Sequence, residues 1–244
     1  MSGCAPTGAQ PLISSLPDED SWVETRALLL SGTAIVRNAA DGDGAVVLDP
    51  ELPSGFLVGR ADGALLGDVA AAAAADFELV VQADAIGDAC AALPDWALSA
   101  ATVLSPASPW GPAAAGGAGS PARVVISAPP GEQWLARVPE ADEIRFYAAM
   151  AQAIALALAD GEVVAVCAAG YVTESLWDVG IDTVPDHRRA GHGARAFRAL
   201  AAHMAAAGKQ PVWCAEDDNV ASIAMAARLG FEPVGRIGIL KRSG

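Results

Sequence analysis

The spacing of apolar and polar residues in the first half of the chain predicts short strands and helices in alternation. The first predicted helix starts with Ser21, has Glu24 three residues later and stops at Gly32, which is typical of a capping box and a glycine end. Pro94 interrupts the last helical stretch of this half. The pattern predicts helices at 21–30, 64–74 and 83–93 and strands at 33–37, 45–48, 56–60 and 77–82.

A stretch rich in Pro, Gly, Ala and Ser covers residues 105–121. This composition is typical of a flexible linker, because such residues neither propagate a helix nor fill a strand. We therefore predict an N-terminal α/β domain of unknown role over residues 1–120 and a second domain over residues 122–244. The first half contains no nucleophile elbow, Walker loop or cluster of metal ligands.

The pattern is sharper in the second half. Apolar residues alternate with small ones over 154–158 and end at Asp160-Gly161. An Asp-Gly pair between two apolar runs predicts a β-hairpin, because glycine accepts the positive φ of a type I′ turn. One long helix ending at residue 159 is the competing interpretation. The elements predicted here are helices at 141–151, 193–207 and 219–229 and strands at 123–127, 163–166, 176–184, 211–215 and 237–240.

Composition narrows the class of protein. The formal net charge of −14 argues against a nucleic-acid partner, which would need a basic face. No run of 18 apolar residues predicts a membrane span, and residues 1–10 lack the features of a secretory signal. The cysteines Cys4, Cys90, Cys167 and Cys214 are too scattered for a disulfide framework or a zinc site. We expect a cytoplasmic protein without a metal, either a monomer or a homodimer.

Basic residues are concentrated in one part of this acidic chain. Residues 187–215 contain no Asp or Glu, but they hold five Arg or Lys residues and all three histidines. Within them the glycine-containing segment Arg188–Gly193 lies between a predicted strand and a predicted helix. Backbone N–H groups at such a helix start bind anions, and glycine lets a phosphate approach them closely. A simple turn beside a solvated helix face is the alternative interpretation.

The sequence Arg188-Arg189-Ala190-Gly191-His192-Gly193 resembles the signature of the GNAT superfamily of acyl-CoA-dependent N-acetyltransferases, in which Arg or Gln is followed by two residues, Gly, any residue, and Gly or Ala. A second match follows after one helix and one strand. Asn219 and Ser222 open a helix that ends in Leu-Gly-Phe, as in the family's Asn-x-x-Ser helix. The resemblance covers residues 122–240, about half of the chain.

The resemblance implies an α/β fold with a bent mixed sheet, in which the strand at 176–184 splays from the strand at 211–215. The smaller first half is then an N-terminal α/β domain, and a degenerate copy of the same fold is one interpretation of it. Acetyl-coenzyme A is the implied co-substrate, with its pantetheine arm along the splayed strand and its pyrophosphate on the loop. The residues that the resemblance assigns to this cofactor are Ile181, Asp182, Thr183, Arg188, Arg189, Ala190, Gly191, His192, Gly193, Ala194, Asn219 and Ser222.

The implied reaction is direct attack of an acceptor amine on the thioester, with a small molecule or a peptide as acceptor. The sequence departs from the family where many members place a Tyr acid or a Glu base, since these positions hold Ala226 and Cys214. We therefore predict that Glu174 or Asp178, on either side of Trp177, removes the proton through water. Two alternatives stay open: a CoA-binding regulatory module without activity, and an acyltransferase that uses another acyl-CoA or a hydroxyl acceptor.

Overall fold

The computed structural model describes residues 9–111, 123–127 and 142–242. They form two compact units, neither of which is continuous in sequence. The first unit takes the described residues of Met1–Val103, Cys214–Ile223 and Pro233–Gly244. The second takes those of Leu104–Trp213 and Ala224–Glu232. Within the described part of the chain, no helix has the length and apolar character needed to span a bilayer.

The first unit is built on a mixed sheet. Its strands lie in the order β1–β2–β3–β4–β12–β5, so that the last strand of the chain is inserted beside β4 and pairs with it antiparallel. Helix α3 packs on this sheet through Leu65, Leu66 and Val69, which belong to the same buried cluster as Val46 and Leu79. The elements are α1 (Ala9–Ser15), α2 (Val23–Ser31), β1 (Ile35–Asn38), β2 (Gly44–Leu48), β3 (Ser54–Gly59), α3 (Gly63–Ala72), β4 (Glu78–Gln82), α4 (Ile86–Ala92), β5 (Trp96–Pro106) and most of β12 (Phe231–Arg242).

The second unit contains an antiparallel sheet in the order β10–β8–β7–β6 and a separate parallel pair, β9 and β11. Helices α5 and α6 pack against the antiparallel sheet. The elements are β6 (Arg123–Ser127), α5 (Asp142–Met150), β7 (Ala153–Ala159), β8 (Glu162–Ala169), β9 (Leu176–Asp178), β10 (Gly180–Thr183) and α6 (His192–Ala206), together with parts of β11 (Gln210–Glu216) and α7 (Val220–Arg228).

Most predicted elements of the first half are present, with three differences, the first of which is that helix α1 was not predicted. Helix α2 begins two residues late, because Asp20–Trp22 forms a 3-10 turn. No side chain caps the start of this helix, so the capping box predicted at Ser21 is wrong, whereas Gly32 ends the helix with φ 75° as expected. The strand β5 was not predicted. Its sequence is mostly Ala, Ser and Leu, and small residues give a weak signal for a strand.

The hairpin prediction in the second half is confirmed. Strands β7 and β8 pair antiparallel around Asp160 and Gly161, which have φ values of 52° and 87°. Positive φ at both turn residues is the type I′ arrangement that an Asp-Gly pair favours. The alternative of one long helix ending at residue 159 is therefore wrong.

The strand predicted at 176–184 is divided in two at Val179. Before this residue, β9 runs parallel to β11, with Trp177 opposite Pro211. The last bond of that pair is donated by Val179 N to Val212 O, at 2.9 Å. After it, β10 pairs antiparallel with β8 instead. The divergence that the resemblance implied is present, and it takes the form of a change of sheet.

The linker predicted at 105–121 lies largely outside the described residues, and so does the boundary predicted at residue 120. Its first two residues, Ser105 and Pro106, belong to β5. Trp110 lies beyond them and is fixed at its backbone by the side chain of Gln210, which accepts from Trp110 N at 2.7 Å and donates to Trp110 O at 3.2 Å. The start of the predicted linker is therefore ordered by specific contacts.

An aromatic cluster anchors helix α6 in the second unit. Phe197 stacks on Trp177 of β9, with ring centroids 6.2 Å apart, and meets Trp213 of β11 at 5.7 Å. Trp110 and Phe231 contact the same ring edge-on at 5.1 and 5.6 Å. Such ring pairs add about 0.5–1.5 kcal/mol each beyond the area that they bury. The cluster therefore fixes α6 against both strands of the parallel pair.

We expect Gly180→Ala to lower the free energy of unfolding by about 1–3 kcal/mol. A Cβ at this position would lie 2.5 Å from Cδ1 of Tyr147, so the ring that α5 places on β10 would have to move. Gly67→Ala in helix α3 is the matched control, because its Cβ would meet no atom within 4 Å. Urea unfolding of the two variants tests this, and equal stability of both would contradict close packing of Tyr147 on β10.

Candidate functional site

Strand β10 is the edge of its sheet, and alternate residues present their backbone outward. Val184 N donates to Val164 O of the neighbouring strand at 3.0 Å. In an antiparallel pair the direction of the backbone groups alternates, so Asp182 faces β8 as well, while Ile181 and Thr183 face the open edge. Of the three strand residues predicted to meet the cofactor, two therefore have backbone groups that face the open edge.

Side chains already contact the backbone of this edge at Thr183. Its N–H donates to the Asp182 carboxylate at 2.6 Å, and its carbonyl accepts from Arg188 Nε at 2.9 Å. Arg188 also forms an ion pair with Asp182 at 3.4 Å. The first arginine of the predicted signature is thus tied to the strand, and a ligand that pairs with Thr183 must replace both bonds.

The loop after β10 contains two residues in the left-handed backbone region. Arg189 and Gly191 have positive φ values of 63° and 79°. Helix α6 starts directly afterwards at His192, and no side chain caps its first turn. The N–H groups of the residues from His192 to Ala194 lack partners inside a helix, and the helix dipole adds partial positive charge there. The structure therefore brings the predicted loop residues together at one uncapped helix start.

The two glycines of the loop have different environments. A Cβ at Gly193 would lie 3.0 Å from Thr183 Oγ1 and 3.3 Å from Met225 Cε, so this glycine permits close packing of α6 on β10. Among the described residues, a Cβ at Gly191 would have one neighbour within 4 Å, Arg195 Nη1 at 3.6 Å. Gly191 is therefore required by its positive φ and leaves the space above it accessible.

Arg195 folds back from α6 onto this loop. Its Nη2 lies 2.7 Å from His192 Nδ1, and its Nη1 donates to the Ala190 carbonyl at 3.4 Å. Because a guanidinium can only donate, Nδ1 accepts and the neutral imidazole carries its proton on Nε2. Burial lowers the pKa of His192, and the charges of Arg195 and His187 lower it further. Sequence reasoning had assigned His192 through its backbone only, and it had not singled out Arg195.

Asn219 and Ser222 lie at the start of α7 and belong to the first unit. Asn219 Oδ1 accepts from Ser222 N at 3.1 Å, so that the predicted helix cap is present. Gly230 follows the helix with φ 88°, as expected for its stop. The assignment of Asn219 and Ser222 to the cofactor stays a prediction.

Asp178 lies beside Val179, where β9 leaves β11. Its carboxylate accepts from Tyr171 N at 2.5 Å, and its own N–H donates to Tyr171 O at 3.0 Å. The residue as a whole is partly exposed, but its carboxyl group is buried, and burial raises the pKa of this carboxyl to about 7. Hydrogen bonds from the N–H groups of Tyr171 and Gly170 act in the opposite direction and lower the pKa. A carboxyl with such a pKa exchanges protons readily near neutral pH.

Glu174 lies elsewhere, in the exposed turn before β9. Its carbonyl accepts from Lys209 Nζ at 3.3 Å. Three residues, 175–177, lie between it and Asp178. Trp177 is fully buried against Phe197. Of the two predicted acids, only Asp178 is at the divergence of the strands.

Cys167 is a buried neighbour of Asp178 that sequence reasoning did not connect with the site. It lies opposite Ile181 in the pairing of β8 with β10 and is fully inaccessible to solvent. Burial raises the pKa of its thiol well above the ordinary value, and the charge of Asp178 adds to this effect. Cys167 therefore stays a protonated thiol and cannot serve as a nucleophile.

The family positions for an acid and a base hold side chains of a different kind. Ala226 is fully buried, and Cys214 is partly buried on β11. Among the described residues, no three His, Cys, Asp or Glu side chains are grouped as metal ligands would be.

The sequence and the fold are both similar to those of known proteins. Residues 155–240 match the sequence profile of the GNAT acetyltransferase family. The structure as a whole is similar to a GCN5-related N-acetyltransferase-like protein from Streptococcus suis, with a TM-score of 0.73 over 96% of both chains at 15% identity. Residues 155–240 are thus similar in sequence to the GNAT acetyltransferases, and the fold of the chain is that of solved GNAT structures.

Two other solved GNAT structures match over most of the chain. A GCN5-related N-acetyltransferase from Kribbella flavida matches with a TM-score of 0.62 and 18% identity over 98% of this chain and 97% of that one. A tandem GNAT protein from the clavulanic acid biosynthesis pathway matches with a TM-score of 0.59 and 16% identity, over 89% and 86% of the two chains. At these identities the likeness concerns the fold. No curated protein matches the sequence.

The fold is thus a two-domain GNAT arrangement in which the first half repeats the element order of the second. Strands β1, β2 and β3 are followed by α3, β4, α4 and β5. In the second half, β7, β8 and the divided strand β9–β10 are followed by α6, β11, α7 and β12. The interpretation of the first half as a degenerate GNAT copy agrees with this order and with the tandem relative.

We expect Asp178→Asn to change how stability depends on pH. Because the folded pKa of about 7 lies above the value of 3.8 for a free carboxyl, the folded state holds the proton more tightly. The wild type should therefore lose stability from about pH 4 to pH 7, by up to about 1.4 kcal/mol per pH unit. The amide cannot ionise but can still accept from Tyr171, so the variant should lack this loss and exceed the wild type in stability at pH 8.

Asp160→Asn is the control for this experiment, because it removes the same charge from an exposed turn. Urea unfolding between pH 4 and pH 8 measures the effect. A wild-type profile that coincides with that of Asp178→Asn would show that the Asp178 carboxyl is not held in its neutral form.

Proposed function

We propose that the protein transfers an acetyl group from acetyl-CoA to the amine of a small molecule or a peptide. The GNAT family of residues 155–240 supports acyl transfer from an acyl-CoA. One observation in the second unit supports coenzyme A as the ligand. Strand β10 turns away from β11 after Val179 and leaves an open edge that leads directly to the uncapped start of α6.

This edge and loop match the two chemical parts of coenzyme A. Pantetheine contains amide groups, which can pair with the outward backbone groups of Ile181 and Thr183 as an added strand would. The pyrophosphate can accept from the N–H groups of Gly191 to Ala194 at the positive end of the α6 dipole. The space above Gly191 allows this approach.

The chemical step requires removal of a proton. At pH 7 a lysine-like amine must first lose a proton, at a cost of about 4.6 kcal/mol for a pKa of 10.4. In the proposed reaction the neutral amine attacks the thioester carbonyl, the C–N bond forms and the C–S bond breaks. The proton that the attacking nitrogen loses in becoming an amide passes to the departing sulfur, so that CoA leaves as the thiol. Asp178, with a pKa of about 7, takes up the ammonium proton of the acceptor through water.

Direct attack is favoured over an acyl-enzyme on Cys167. The only buried thiol of the described residues is held protonated, because burial and the neighbouring Asp178 raise its pKa. A thiol must ionise before it can attack a thioester. Asp178 and Cys167 together therefore favour a mechanism in which the amine itself is the nucleophile.

A second candidate is a CoA-binding regulatory module without catalytic activity. Ala226 and Cys214 favour it, because neither supplies the acid or base that many GNAT enzymes place there. An acyltransferase that uses a longer acyl-CoA or a hydroxyl acceptor is a third. Release of free thiol from acetyl-CoA over a panel of amines, aminoglycosides, polyamines and peptide N-termini distinguishes the enzyme from the module, and longer acyl-CoAs and alcohols extend the same assay.

We expect coenzyme A to bind in the micromolar range and to raise the melting temperature, with a gain of about 2.7 kcal/mol at 100 times the dissociation constant. Gly191→Val should abolish this gain, because a branched side chain would cover the N–H groups that face the phosphate. Gly208→Val is the matched control, since Gly208 has a similar φ of 77° and no atom near its Cβ position. Calorimetric titration measures the affinities, and unchanged binding by Gly191→Val would contradict the site.

We expect Asp178→Asn to lower turnover about 100-fold or more while CoA affinity is kept, since general bases contribute about 10²–10⁴-fold. Wild-type turnover should rise with pH through an apparent pKa near 7, as the carboxyl ionises. Glu174→Gln should keep turnover, because Glu174 lies in the exposed turn before β9. Initial rates at saturating acetyl-CoA measure both, and full turnover by Asp178→Asn would exclude it as the base.

A further inference from the structure

Arg195 holds a fixed position over the loop that precedes its own helix. Its guanidinium reaches the Ala190 carbonyl through Nη1 and His192 Nδ1 through Nη2, at 3.4 and 2.7 Å. The same Nη1 lies 3.6 Å from the position that a Cβ of Gly191 would take. The guanidinium of Arg195 therefore contacts Ala190 and His192 and lies close to Gly191 between them.

This cation has no acidic partner among the described residues. Arg188, the first arginine of the loop, is paired with Asp182 at 3.4 Å. Arg195 is half-buried, and its Nε is buried without an acceptor in the described structure. A partly buried charge without a counter-charge is unfavourable unless a ligand supplies the opposite charge. An unpaired cation and an unused donor at an uncapped helix start together indicate an anionic ligand.

His192 holds the guanidinium in this position. It is only 9% exposed, and its Nδ1 can accept from Arg195 only while the ring is neutral. Its Nε2 then carries the proton and has no partner among the described residues. The ring of His187 lies edge-on to the ring of His192, with the centroids 5.9 Å apart. The titratable and charged groups that face His192 are therefore the imidazole of His187 and the guanidinium of Arg195. No acid competes for Arg195 there.

We propose that Arg195 is the side-chain counter-charge of a phosphate group bound at the loop Arg188–Gly193, and that His192 is the positioning residue for its guanidinium. The proposal rests on the proposed function for the identity of the ligand, the pyrophosphate of coenzyme A. It adds a side-chain contact to a site that is otherwise made by backbone N–H groups. The charge-assisted bonds of a guanidinium to phosphate explain why an arginine stands at this position.

The experiment compares Arg195→Met with Arg198→Met. Arg198 lies about one turn further along α6 and carries the same charge. Calorimetric titrations use coenzyme A, inorganic pyrophosphate and pantetheine, which lacks phosphate. Arg195→Met should weaken coenzyme A and pyrophosphate at least about tenfold and leave pantetheine unchanged, whereas Arg198→Met should change none of the three. Arg195→Lys should recover part of the affinity, since it keeps the charge but not both contacts.

Two further measurements keep the proposal separate from effects on folding. The ¹⁵N spectrum of the His192 ring should show the Nε2–H tautomer in the wild type and a loss of this preference in Arg195→Met. His192→Phe should lower pyrophosphate affinity in the same way as Arg195→Met. Wild-type affinity in Arg195→Met, an equal loss for pantetheine, or a proton on Nδ1 of the wild-type ring would each overturn the proposal. Binding of pyrophosphate through Arg195 without acetyl transfer would instead overturn the proposed function alone.

Discussion

The change of partner at Val179 is the feature on which the rest of the candidate site depends. The strand pairs with β11 as far as Val212 and with β8 afterwards. Beyond the break, its outward backbone groups no longer pair with β11, and no other strand pairs with them in the described structure. Unpaired backbone groups in a partly buried place are unfavourable unless a ligand, water or a side chain pairs with them. Here Asp182 and Arg188 pair with Thr183, which also protects the edge from association with other strands.

Packing on both sides holds the strand in this divided state. On one side Trp177 and Phe197 fix β9 to α6, and on the other side Tyr147 lies against the bare backbone of Gly180. The same packing keeps α6 close enough to β10 that Gly193 must lack a side chain. The start of α6, and with it the loop and Arg195, is thus positioned by apolar contacts that take no part in binding. A preformed site of this kind loses little entropy when a ligand arrives.

The parts that could be predicted from sequence are those with local causes. The Asp160-Gly161 turn, the cap at Asn219 and the glycine stop at Gly230 depend on residues adjacent in the chain, so their signals are visible in the sequence. The break at Val179 and the raised pKa of Asp178 depend on β11, β8 and the turn at Tyr171, which come together only in the fold. Strand β5 is stabilised by its neighbours in the sheet, since its own small residues specify little.

The repeated element order raises the question of what distinguishes two helices in equivalent places. Helix α3, after β3, starts at Gly63 and is capped by Asp62, whose carboxylate accepts from Leu65 N at 2.7 Å. Helix α6, after β10, starts beside Gly191 and has no side-chain cap. The first helix therefore carries its own anion at its positive end, where a second anion would be repelled, and the other leaves its donors for a ligand. A carboxylate in one copy and a glycine in the other are sufficient to explain why a phosphate site is expected only in the second.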